Sequence, residues 1–165
     1  MTVGQSLLRE FDEEMAATRR VIERVPDDKA EWRPHPKSFP LAHLTQLVAT
    51  MPGWVLTMLK ERELDLGKGG SYSVQKVDTL LATFDQLAGA ARAALDAASD
   101  ESMAEPWTLR HGAHVIYTMP RRDVVRQTIS HLVHHRAQLT VYLRLLDVPV
   151  PSMYGPTADE PFQFS

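Results

Sequence analysis

Residues 77–95 read VDTLLATFDQLAGAARAAL, with Val77, Leu80, Leu81, Phe84, Leu87, Ala88, Ala91 and Leu95 at spacings of three and four. Side chains so spaced share one face of an α-helix. A near-heptad apolar stripe of this kind is what a bundle helix needs. This helix, the third along the chain, is expected to begin near Ser73. Toward the N-terminus, Leu7, Leu8, Phe11, Met15, Thr18, Val21, Ile22 and Val25 form a stripe opposite Arg9, Glu13, Arg20 and Arg24, and Pro26-Asp27-Asp28 ends it. A second helix is expected from about Pro40 to Lys60, after the loop Trp32-Arg33-Pro34-His35-Pro36-Lys37, with Ser38 as its N-cap. Pro52-Gly53 inside it predicts a kink or a local break.

Beyond the third helix the pattern changes. Trp107-Thr108-Leu109-Arg110 and Val115-Ile116-Tyr117-Thr118-Met119, around His111-Gly112, read as a small hairpin. A fourth helix follows from about Arg121 to Leu146, its inner face holding Val124, Thr128, His131, His135, Gln138 or Leu139, and Tyr142. After Asp147, the prolines at 149, 151, 156 and 161 make regular helix unfavourable. Val148, Val150, Met153, Tyr154, Phe162 and Phe164 make this tail too apolar for a solvated one, so it should pack along the bundle or a partner. Gly67-Lys68-Gly69-Gly70-Ser71 lacks the Gly-Lys-Ser/Thr ending of a phosphate-binding loop and reads as punctuation. The expectation is an all-α protein, a four-helix bundle with a small β-hairpin between the third and fourth helices, in one domain over residues 1–165.

Composition narrows the function. With 165 residues and 44% hydrophobic content the chain can bury one good core. Its net charge of −3 and scattered Lys and Arg argue against nucleic acid as a partner. There is no cysteine, which removes disulfides, thiolate zinc sites and a cysteine nucleophile. No apolar stretch approaches the roughly 20 residues that span a bilayer, and the N-terminus lacks a signal-peptide pattern. A soluble, cytoplasmic protein without a membrane partner is therefore expected.

Seven histidines carry what functional signal there is. His131 and His135 stand one helical turn apart, so their imidazoles can turn toward a common point, which is half of a transition-metal site. Two polar residues satisfied by neighbours in a bundle is the plainer alternative. They form no zincin motif, since Leu132 stands where His-Glu-x-x-His requires Glu. A third ligand should come from a facing helix, and His43 alone among the remaining histidines lies inside another helical pattern. His43 is open to an inward or a boundary position. His111 and His114 belong to the hairpin turn, His35 reads as structural between two prolines, and His134 should face a neighbour or a second subunit. Asp159-Glu160 would reach the site only if the tail folds back over it. Trp32, Trp54 and Trp107 read as core or interface anchors.

As a whole the chain resembles the DinB/YfiT-like family of metalloenzymes. The resemblance rests on Trp32-Arg33-Pro34-His35-Pro36-Lys37-Ser38, on Met51-Pro52-Gly53-Trp54, and most of all on the block from Pro120-Arg121 through His131 and His135 to Tyr142-Leu143-Arg144. It continues through Asp147-Val148-Pro149-Val150-Pro151 and Tyr154-Gly155-Pro156-Thr157-Ala158-Asp159-Glu160. It implies a four-helix bundle with a long crossover connection, commonly a homodimer, with three histidines holding a divalent metal such as zinc, nickel or manganese. It implies in turn a transferase or isomerase using a low-molecular-weight thiol, or a hydrolase. Two ligands carry over to His131 and His135. The third family position, seven residues before the Trp of Pro-Gly-Trp, is Leu47 here, and leucine cannot ligate. Three outcomes stay open: His43 supplies the third ligand from one turn away; a carboxylate or the substrate does; or metal binding is lost and the chain is a non-catalytic dimeric bundle that binds a small molecule or partner.

Overall fold

The first helix opens on a reciprocal cap. The Thr2 hydroxyl accepts from the Gln5 N–H (3.2 Å), and the Gln5 side chain accepts from the Thr2 N–H (3.1 Å). In this computed structural model, which describes residues 1–69 and 72–162, helix α1 spans Val3–Ile22 and buries Leu7, Phe11, Met15, Val21 and Ile22. That is the stripe read from the sequence. Gly70, Ser71 and Phe164, assigned above to the loop and the tail, lie outside the described residues.

Helix α2, Leu41–Lys60, is not started by Ser38. Its N-cap is Pro40, which offers no side-chain acceptor, and the preceding loop does the capping instead. The Leu41 N–H donates to the Trp32 carbonyl (2.8 Å) and the Ala42 N–H to the Ala30 carbonyl (3.0 Å). Pro52 sits buried within α2, and no break divides the helix there. Helix α3, Val77–Ala97, starts four residues after the expected Ser73. Its cap comes from far along the chain: Asp27, in a 3-10 turn over Asp27–Lys29, accepts from the Val77 N–H at 2.9 Å. A short helix α4, Asp100–Ala104, was not anticipated; Ser99 caps it through the Ser102 N–H.

The sheet is also larger than a hairpin. Strand β1, Glu63–Asp65, pairs in parallel with β2, Pro106–His111, which pairs antiparallel with β3, His114–Pro120. Three residues are too few to leave a periodic signal, so β1 escaped the sequence reading. Arg110 holds it in place, bridging Glu63 (2.6 Å) and Asp65 (3.0 Å). The Gly112 N–H donates to Asp65, whose carboxyl is held below its ordinary range by that bond first. The protein is therefore mostly helical with a small three-stranded sheet, which enlarges the all-α expectation.

Helix α5, Arg121–Leu145, completes the architecture: α2 packs against α3 and α5, and α1 packs against the same two. The inner face of α5 keeps Val124, Thr128 and Tyr142 buried as expected but is wider and departs at the histidines. Val125, Ile129, Leu132, Arg136, Leu139 and Leu143 are buried, Leu139 rather than Gln138 faces the core, and His131 is exposed at the edge. Arg136, 1% exposed, occupies the centre of that stripe. Its guanidinium meets Glu14 Oε2 at 2.6 Å and donates to the Glu14 carbonyl (3.1 Å) and to the Tyr154 hydroxyl (2.8 Å). Tyr154 in turn donates to Glu14 Oε1 at 2.7 Å.

Tyr154 belongs to the tail, which packs along α1 and α5. Arg144 pairs with Asp159, and Arg20 and Arg24 with Glu160. Val150 is buried beneath these pairs. The Asp159 carboxyl is held below its usual range by Arg144 and the Val150 N–H, and that of Glu160 by the Ser152 N–H and Arg20. Among the described residues no helix is long and apolar enough to cross a membrane.

Two outcomes follow from these contacts. Glu14→Gln leaves a buried guanidinium without its counter-charge and should cost about 3–5 kcal/mol in urea unfolding, whereas Glu14→Leu combined with Arg136→Met should recover most of that loss. Equal losses in the two variants would show that the ion pair is not what holds this part of the core. The tail carboxylates have lowered folded pKa values, so their contribution is present above the unfolded values and lost as pH falls through the folded ones. The NMR signals of the Val150 and Ser152 amides should each titrate with a midpoint below that of the same carboxyl, Asp159 or Glu160, in an unfolded chain, and midpoints at or above the unfolded ones would contradict these tail contacts.

Candidate functional site

His131 and His135 are delivered by consecutive turns of α5, and their Nε2 atoms approach to 2.9 Å. Gln138 decides which atom carries which proton. Its Oε1 lies 2.8 Å from His135 Nδ1 and its Nε2 lies 3.1 Å from His134 Nε2. A carboxamide oxygen only accepts and its nitrogen only donates, so with Gln138 assigned this orientation His135 carries its proton on Nδ1 and His134 accepts at Nε2. His135 Nε2 is then a lone pair, and His131 Nε2–H must donate to it. The His131 pKa is lowered, first by partial desolvation of the ring and then by His135 and His134. The result is a directed chain from His131 through His135 and Gln138 to His134. The sequence placed Gln138 only as an alternative core residue; its spacing of three from His135 and four from His134 was the available signal.

His131, with His135 bonded behind it, borders a divided cleft. One chamber of about 570 Å³ is lined by His131, Thr128 and Gln127 of α5, by Met58 of α2 and by Leu109 and Tyr117 of the sheet. A second, of about 770 Å³, is lined by His43, Gln46, Leu47 and Thr50 of α2, by Tyr72 and by Arg110. Trp54, Leu64 and Leu66 line both and form the divider. The Trp54 ring lies 5.8 Å from that of His131, so Trp54, which packs against the core, also faces the cleft. Trp107, fully buried, and Trp32, edge-on to Tyr142 at 5.5 Å, do anchor packing.

The other candidates are dispersed. His43 lies on the second chamber, stacked on Tyr72 (4.4 Å, 13° between planes) and 4.5 Å from the Phe39 ring. Leu47 lines the same chamber and packs against the core. His35 is exposed and accepts from the Lys37 N–H, while His111 and His114 are exposed at the ends of β2 and β3. Asp159 and Glu160 are engaged by Arg144, Arg20 and Arg24. Among the described residues no group of three His, Cys, Asp or Glu side chains is placed to hold a metal ion.

The donor set can be tested against a metal centre directly. Two imidazole nitrogens about 2.05 Å from one tetrahedral ion stand roughly 3.3 Å apart, so the observed separation needs only a small opening. The pair therefore suits two corners of a site. The third corner does not fit, because Leu47 has no donor atom and His43 is held between Phe39 and Tyr72. These residues do not make a three-histidine centre.

Comparison with other proteins places the chain. The DinB family matches residues 1–162. No curated protein matches. Among solved structures, a DinB-like protein from Bacillus subtilis superposes with a TM-score of 0.71 at 15% identity, over 90% of this chain and 97% of that one. A DinB-like protein from Bacillus cereus gives 0.70 at 18% identity, over 91% and 97%. At those identities the likeness concerns the fold, and the family match concerns the sequence from end to end. Taken together, they establish that this chain belongs to the DinB family.

Proposed function

We propose that this DinB-family chain binds a small organic molecule in the divided cleft, and that His131 and His135 act there as hydrogen-bonding imidazoles. The fate of the third corner carries this reading: Leu47 occupies the position the family resemblance assigns to a ligand, and His43 is engaged in an aromatic stack. Both chambers fall within the roughly 300–1,000 Å³ of small-molecule sites. The smaller has mostly apolar walls with a few polar groups, and the larger sets Leu47, Trp54, Leu64 and Leu66 among polar and charged side chains. His131 spends its Nε2–H on His135, which leaves its Nδ1 lone pair as the remaining acceptor on a ring that lines the smaller chamber.

A metal-dependent transferase or hydrolase, acting on a low-molecular-weight thiol or another small substrate, is the second reading. It draws on the converging Nε2 atoms and on the His135 Nδ1 bond to Gln138, the kind of outer bond that orients metal-bound imidazoles. Metal analysis separates the two. Protein purified without a histidine tag should carry far less than one equivalent of zinc, nickel or manganese, and Leu47→His should raise metal affinity at least about tenfold by supplying a third imidazole. Near-stoichiometric metal in the wild type that disappears in His135→Ala would overturn the first reading.

We further propose a homodimer, as the family resemblance implies, with α5 contributing to the interface. Val141 and Leu145, one turn apart on α5, are 57% and 56% exposed, an apolar strip that a monomer leaves in water. Sedimentation velocity should give a dimer that Val141→Glu with Leu145→Glu converts to monomer. A wild-type monomer at high concentration would refute it.

A further inference from the structure

We infer that the larger chamber is a recognition site for a small planar carboxamide, read by Gln46 and Tyr72. This rests on the small-molecule reading above and names the chemistry of the ligand. Among the described residues, five buried side-chain polar atoms lack a hydrogen-bond partner: Glu14 Oε2, Gln46 Oε1, the Tyr72 hydroxyl, Trp107 Nε1 and Arg121 Nε. Glu14 has the Arg136 guanidinium beside it, Arg121 is held through its other nitrogens, and Trp107 lies in the core. Gln46 and Tyr72 are different, because both line the 770 Å³ chamber. Two unpartnered polar atoms on one cavity are what a site built for a polar ligand shows without it.

The rest of the wall defines the complement. The Thr50 and Thr57 hydroxyls line the chamber and donate backwards, to the Gln46 and Gly53 carbonyls at 2.9 and 3.0 Å, so each offers only acceptor capacity. With Gln46 Oε1, the α2 wall is a set of acceptors. It asks for N–H donors. The Tyr72 hydroxyl can donate, and burial pushes its pKa up, so it stays protonated. His43 fixes its ring by stacking at 4.4 Å. A carboxamide answers both demands, N–H to Gln46 and carbonyl to Tyr72, and its pairing with a glutamine amide holds whichever way that amide is turned. A carboxylate finds no donor on the α2 wall. Lys68 and Arg110 line the other side, but Arg110 is already paired with Glu63 and Asp65, and with Glu61 the carboxylates of the lining outnumber its two cations. Trp54 and the His43–Tyr72 stack supply flat faces for a planar body.

Benzamide, benzoate and toluene are the probes, titrated into uniformly labelled full-length protein and followed by the Trp54 indole and Gln46 side-chain NMR signals. Benzamide should bind saturably and benzoate at least about tenfold more weakly. Gln46→Met and Tyr72→Phe should each weaken benzamide at least about fivefold while leaving toluene unchanged. Melting curves identify a variant that fails to fold, and Tyr72→Phe, which removes a single oxygen, then carries the comparison. Absence of saturable benzamide binding, or equal affinity in wild type and folded variants, would mean that water satisfies these atoms and would overturn the inference. Metal content, measured on the same samples, reports separately on the small-molecule reading itself.

Discussion

A guanidinium cannot be left in a protein core without a counter-charge and acceptors, and Arg136 sets that condition for the whole molecule. Glu14 answers from α1, both with its carboxylate and with its carbonyl, and Tyr154 answers from the tail. One buried cluster thereby joins the first helix, the last helix and the C-terminal segment. It also fixes how α5 is turned about its own axis. With Arg136 aimed at α1, helical geometry places His135 roughly 100° and His131 roughly 140° around the helix, on the same side and close to one another. His131 reaches the cleft, with His135 bonded to it, while an arginine elsewhere on the helix is committed to the core.

The cleft has a similar dependence on contacts that are not themselves part of the chemistry. His43, Gln46, Leu47, Thr50, Trp54 and Thr57 repeat at helical spacings along α2, so one face of that helix builds the wall of the larger chamber. The opposing wall is β1 and the 3-10 turn after it, Leu66–Lys68, segments too short to hold their shape alone. Arg110 and the Gly112 N–H pin them through Glu63 and Asp65. Gly4 serves the same end at distance. A Cβ there would come within 2.3 Å of the Leu95 carbonyl, so only glycine lets α1 lie this close to α3.

Much of this was legible in the chain. The stripes of α1 and α3 coincide with what is buried, and the tail packs as its apolar content requires. The convergence of His131 and His135 follows from a spacing of four. What escaped was long-range or too short to be periodic. Asp27 capping α3, the loop carbonyls capping α2, and the three residues of β1 are set by partners that lie far along the sequence. On the inner face of α5, Val124, Thr128, Leu139 and Tyr142 are buried as their spacing requires, whereas His131 and His135 lie at its edge and Arg136 takes the core position. Arg136 in line with Leu132, Leu139 and Leu143, and Glu14 beside Met15 and Phe11, were two opposite charges on two apolar stripes. Such a match is itself a sequence signal for a buried pair. Tyr72 left no such trace, since it stands outside any periodic segment.

Leucine at position 47 changes the electrostatics of the cleft as well as its ligand count. A bound cation would favour lone pairs on both Nε2 atoms at once, whereas two neutral imidazoles alone can approach to 2.9 Å only if one donates to the other. Gln138 makes that choice by taking the His135 Nδ1–H, and burial together with the neighbouring imidazoles disfavours a charge on His131. The pair thus becomes asymmetric, one ring a donor and the other an acceptor. On the α2 side, Leu47 adds apolar surface where an imidazole would have stood, next to Trp54. A wall of that kind favours an uncharged ligand, held by hydrogen bonds and flat contacts, over an ion that must be stripped of its water.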